Sequence, residues 1–213
     1  MKLNEFVNIL IAVLILTIVS GFSFALDSKW TAISQLFLFS LIVIFVSVFA
    51  KKFMAYLLDA DVEHTIWKAS RWGYKQHQHL KKEIPAGVIF PLFLTLFSLG
   101  WIKFTALLTY EARALKRRAA RRFGFYSYTE LTEWHNALIG AAGIISVFII
   151  IIITYFLPFA GADYLAKIAA YYALCNLIPL SKLDGAQIFF GSRVLYTTLA
   201  VITLIFASYA FIL

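Results

Sequence analysis

Residues 6–26 and 30–50 each run for 21 positions without a charge, and residues 136–162 run for 27. About 20 apolar residues are enough to cross a bilayer. Inside a bilayer every backbone polar group must be satisfied by the segment itself or its neighbours, so several such runs confine a chain to a helical bundle. Residues 84–102, 164–179 (which include Lys167) and 194–213 are further candidates. Charged residues make up only 14% of the chain, whereas a soluble domain carries about 25%. That is too little charge to cover a water-soluble globule, and with 21 Phe and 4 Pro the chain is not disordered either. Only Lys2 precedes the first run, which is longer than the 7–15 residues of a signal peptide, so a retained span is expected.

Charge decides the path of 84–102. Lys51, Lys52, Lys68, Arg71, Lys75, Lys81 and Lys82 precede it; Arg113, Lys116, Arg117, Arg118, Arg121 and Arg122 follow it. If the segment dips in and returns, 17 of the 19 Lys and Arg share one side, leaving Lys29 and Lys167 opposite. The positive-inside rule prefers that arrangement. Pro85, Gly87, Pro91 and Gly100 also punctuate the segment, so a largely non-helical re-entrant hairpin covered by other protein is expected. The fold expected is an all-α polytopic membrane protein, one membrane domain over 1–213. It has about five transmembrane helices (6–26, 30–58, 137–159, 164–180, 193–213), a cytoplasmic and re-entrant region at 59–136, short strands and a cytoplasmic N-terminus.

Between the spans, Val62, His64 and Ile66 alternate with Glu63, Thr65 and Trp67, the period of a strand. Residues 111–123 are rich in Ala, Leu and Arg and are helical by propensity. Arg113, Lys116, Arg117, Arg118, Arg121 and Arg122 are then expected to rest on anionic lipid headgroups. Nucleic acid is not an expected partner, because no recognition fold accompanies the charge. The spacing Ser127 to Glu130 is that of a capping box, opening a helix that passes through Glu133 and His135.

Asn176-Leu-Ile-Pro179-Leu-Ser-Lys-Leu183-Asp184-Gly185 joins a helix breaker and a carboxylate at the end of a span. An ionisable residue there is a functional candidate. This string resembles the NxxP…LDG element of the site-2 protease family, the intramembrane zinc metalloproteases (peptidase M50). Residues 47–55 resemble that family's HExxHKFxA pattern after loss of its chemistry. Ser47 and Lys51 stand at the two His positions and Val48 at the Glu position, while Lys52, Phe53 and Ala55 keep the flanking pattern. Ala142-Gly143 is similar to the family's AGPxxN element, with Ile144 in place of Pro. The resemblance covers about residues 30–192. It implies a site-2-protease-like core in which Asp184 is the one retained zinc-ligand position.

A catalytic zinc needs about three protein ligands and an open position for water. Cys175, the single cysteine, excludes an internal disulfide and a multi-cysteine site. A lysine at a ligand position repels the cation, and Val48 cannot act as a base. His64, His77, His79 and His135 could rebuild a site only with unorthodox geometry; each reads more simply as a structural or solvated histidine. Ser47 and Lys51 also have the i,i+4 spacing of a Ser–Lys dyad, although a snorkelling topogenic lysine explains Lys51 more simply. The expectation is a pseudoprotease without a cofactor, binding or scaffolding membrane-protein clients or complex subunits through a retained groove. The alternatives are an active intramembrane metalloprotease holding zinc, or an unrelated transporter or scaffold subunit. Asp184 should then pair with Lys51, Lys52 or Lys182, Asn176 and Asp184 should hold a helix break against the 47–51 face, and Gly185 permits a positive φ there.

Overall fold

A computed structural model describes residues 3–71, 79–115, 131–157 and 159–212. Among these the chain is mostly helical. The helices are α1 (Leu3–Leu26), α2 (Trp30–Leu57), α3 (Ala86–Phe97), α4 (Glu133–Phe156), α5 (Ala162–Asn176), α6 (Asp184–Gly191) and α7 (Arg193–Ile212). The strands are β1 (Ala60–Ile66), β2 (Ala69–Arg71), β3 (His79–Ile84) and β4 (Leu108–Ala114).

Four helices are long and apolar enough to cross a membrane: α1, α2, α4 and α7. The isoleucines at 149–153 favour a strand by propensity, yet they are helical, because a helix satisfies its own backbone bonds. The fifth expected span, 164–180, is a helix of 15 residues that ends at Asn176. Pro179 and the turn at Ser181 (φ 51°) prevent its continuation.

α4 lies at the centre of the bundle, against α2, α5, α6 and α7. The main core is apolar and includes Leu16 of α1, Ile44 of α2, Ile144 of α4 and Tyr172 of α5, all at most 1% exposed.

β1 falls where the alternation predicts it, with Ala60, Val62 and His64 turned inward. It pairs antiparallel with β4, His64 opposite Tyr110 and Asp61 opposite Arg113. This corrects the helix expected from residue 111: Glu111 to Ala114 are strand, because pairing with β1 outweighs local helix propensity. β2 pairs with β3. Lys75, His77, Lys116, Arg117, Arg118, Arg121, Arg122 and the Ser127–Glu130 capping box lie outside the described residues.

Segment 84–102 is more helical than expected. α3 accommodates Pro91, whose carbonyl accepts from Thr95 Oγ1 at 2.7 Å. The chain then turns at Leu99 and Gly100, both with positive φ, and comes back without regular structure over 103–107. Both ends meet at one residue: Gly87 N donates to Trp67 O (2.8 Å), and Trp67 N donates to Leu107 O (2.9 Å).

Candidate functional site

Asp184 opens α6 immediately after the break that ends α5. Asn176 Nδ2 donates to Tyr172 O at 2.8 Å, turning back onto its own helix. Gly185 does not use the positive φ that glycine permits; Ser181 has one instead. Glycine is needed at 185 for another reason: a Cβ there would collide with the Leu177 carbonyl. Pro179 is exposed, while Leu183 is buried at the N-cap of α6. Asp184 occupies the first turn of α6, where the helix dipole favours a negative charge.

The partner of Asp184 comes from α2. Lys51 Nζ lies 2.5 Å from Asp184 Oδ2, with the two side chains 2% and 0% exposed. The contact is an ion pair, and neither carboxylate oxygen has a partner in hydrogen-bond geometry. The ammonium also stands 5.1 Å from the centre of the Tyr110 ring, within cation–π range. Its methylenes lie on Gly143, where a Cβ would overlap them. Tyr110 donates its hydroxyl to Asn136 O at 2.6 Å. Burial pushes that phenol well above its usual range and the charge of Asp184 adds to the effect, so it remains a protonated donor. Ser47, one turn before Lys51, is hydrogen-bonded to Tyr172, and Val48 packs into the core.

These residues do not fit a zinc ion. An ammonium stands against the one carboxylate, and Ser47 and Val48 offer no imidazole or base. Among the described residues no three His, Cys, Asp or Glu side chains are grouped to hold a metal. Nor is a Ser–Lys dyad assembled: Lys51 is committed to Asp184 and Ser47 to Tyr172.

A second buried cluster adjoins the first. Lys52 Nζ lies 2.7 Å from Glu5 Oε1 and 2.8 Å from Oε2. Glu5 Oε1 also accepts from His64 N (3.2 Å) and faces His64 Nδ1 (3.1 Å). Burial lowers the His64 pKa; the bond to Glu5 opposes this, and the charges of Lys51 and Lys52 reinforce it. His64 is thus a neutral structural histidine tying α1 to β1. His135 contacts Thr132 Oγ1 at the start of α4, and His79 lies on β3. Arg113 is not on a headgroup helix; it is exposed on β4, 3.8 Å from Glu111.

Beside the buried pair, a groove of about 240 Å³ is lined by Glu133, Asn136, Ser181, Lys182, Gln187 and Phe190, among others. Gln187 Nε2 caps the Tyr110 carbonyl at 3.2 Å, and Lys182 reaches Glu111 at 3.4 Å, so the 181–187 segment is fastened to β4. No family model matches this chain, and neither a curated protein nor a solved structure does.

Glu5, Tyr110 and Tyr172 belong to these clusters without standing in any motif of the sequence. Glu5 carried a signal, being a lone carboxylate at the mouth of an apolar run. The two tyrosines carried none, since only the tertiary fold brings them to Lys51 and Ser47.

Proposed function

We propose that this chain is a proteolytically inactive membrane protein with a site-2-protease-like core, which binds or scaffolds other membrane proteins through its groove. The observation that carries this reading is the buried pair of Lys51 and Asp184. A cation supplied by the protein itself neutralises the carboxylate that the family resemblance gives to zinc. Zinc-dependent hydrolysis needs a metal-bound water and a base. Binding an extended segment needs only backbone and a groove. β4, with the 181–187 segment fastened beside it, offers both.

The same reading gives the chain five spans, α5 being the fifth, with α3 and its return limb re-entrant and the N-terminus cytoplasmic. Trp67 supports this, since it joins the two ends of the hairpin. The positive charge on both flanks supports it too. The partners are then membrane-protein clients or complex subunits on the groove side, with anionic headgroups near the basic 113–122 segment.

Two measurements on purified protein test the proposal. Zinc should be well under one per chain. A photo-crosslinker at exposed Phe190, which lines the groove, should capture a discrete membrane protein in native membranes, whereas one at equally exposed Phe49 of α2 should not. Near-stoichiometric zinc that survives dialysis and is lost on Asp184→Ala would make the protein a working metalloprotease. Equal capture from both positions would remove the groove from the proposal.

A further inference from the structure

At the far end of the bundle, where α1 finishes and α2 and α5 begin, lies a cavity of about 320 Å³. Lys103 of the return limb and Lys167 of α5 both line it, with the hydroxyl side chains of Ser20, Ser23, Thr105 and Tyr164. Both lysines are half-buried, and Lys103 feels the like charge of Lys167. Among the described residues neither has a salt bridge. Asp163, one turn before Lys167, lines a different cavity, against α4 and α7. Lys103 thus lies beside Lys167 and apart from the basic loops with which charge alone groups it.

Two cations facing one cavity repel each other, and more strongly in a medium of low dielectric than in water. Ionisable residues within a membrane bundle are paired or mark a ligand path. Among the described residues no carboxylate pairs with either lysine, which leaves the cavity open to an anion from outside. Two ammonium groups beside several hydroxyls suit a phosphate, with charge-assisted bonds from the lysines. The rim indicates what bears that phosphate. Ser23 also lines the adjoining mouth with Leu26, Leu99 and Trp101, and those three are 63%, 67% and 90% exposed. Large apolar and aromatic side chains around a cationic cavity match an amphiphile at the membrane interface.

We propose that Lys103 and Lys167 form a binding site for the phosphate headgroup of an anionic phospholipid, at the end of the bundle opposite the Lys51–Asp184 pair. The site is separate from the basic segment at 113–122 and does not depend on whether the protein is an enzyme.

Thermal unfolding in neutral detergent tests it, with added phosphatidylglycerol, phosphatidylcholine or inorganic phosphate. Phosphatidylglycerol should raise Tm more than either alternative. Losing both lysines in Lys103→Gln/Lys167→Gln should weaken its apparent affinity by roughly fivefold per lysine. Lys167→Glu supplies an internal anion, so it should raise Tm without lipid and abolish the response to phosphatidylglycerol. Lys68→Gln, an exposed cation away from this cavity, should leave that response intact. A response unchanged in both lysine variants, or lost equally in Lys68→Gln, overturns the site. Inorganic phosphate reproducing the whole shift makes the ligand a free anion and overturns the lipid assignment.

Discussion

Lys51 and Asp184 neutralise each other across α2 and α6 with almost no exposure to solvent. Breaking such a pair from one side strands a charge and costs about 3–5 kcal/mol. Asp184→Ala should therefore lower Tm in detergent severely. The double variant Lys51→Met/Asp184→Leu should recover most of that loss, because two apolar side chains of similar size leave no charge behind. A double variant as unstable as Asp184→Ala would show that the pair does more than neutralise itself.

Gly143 gives the Lys51 side chain the room to reach Asp184. Gly143→Ala places a methyl group among the lysine methylenes, and overpacking of this kind costs about 1–3 kcal/mol. The loss should shrink in a Lys51→Ala background, where the methylenes are gone. Additive losses, measured by thermal unfolding of the four-member cycle, would place the strain elsewhere.

His64 makes stability depend on pH in one direction. Its folded pKa lies below the value of about 6.5 expected for an unfolded chain. The neutral ring's contribution is therefore complete above pH 6.5 and is lost as pH falls through the folded pKa. Tm should drop on acidification from pH 8 to 5, and His64→Gln should flatten part of that slope. A wild-type Tm that rises over this interval would contradict the assignment of a buried neutral ring.

The path of the hairpin can be read by labelling. In a Cys175→Ala background, single cysteines at exposed Lys82 and Arg113 should react from the same side of the membrane. Cysteines at Asp27 and Asp163 should react from the other. Opposite sides for residues 82 and 113 would make 84–102 a full span.

The long helices could be read from the chain because uncharged length alone fixes them. Asp184 stands out as a carboxylate beside a helix breaker at the end of a span, whereas Lys51 by itself reads as an ordinary lysine at a span's end. β4 could not be read, since Glu111 to Ala114 favour a helix locally and become a strand only opposite β1. Nor could the role of Gly185: a glycine after a helix break suggests positive φ, whereas its actual constraint is the nearby Leu177 carbonyl. Glu5 and His64 are 59 positions apart, and no periodicity links them.

Trp67 holds Gly87 through its carbonyl and Leu107 through its N–H. During synthesis the first half of this clasp can close as soon as α3 begins to emerge. The second must wait until the whole hairpin has been made. Until then the Trp67 amide is an unclaimed donor at the end of β1, a template on which the returning chain finds its register. Leu107 docks there, and β4 begins at the next residue. One residue, through the two peptide units that flank it, therefore aligns both ends of the hairpin and the strand that carries Tyr110 to Lys51, so an insertion at the 99–102 tip would lengthen the hairpin and leave the ion pair in place.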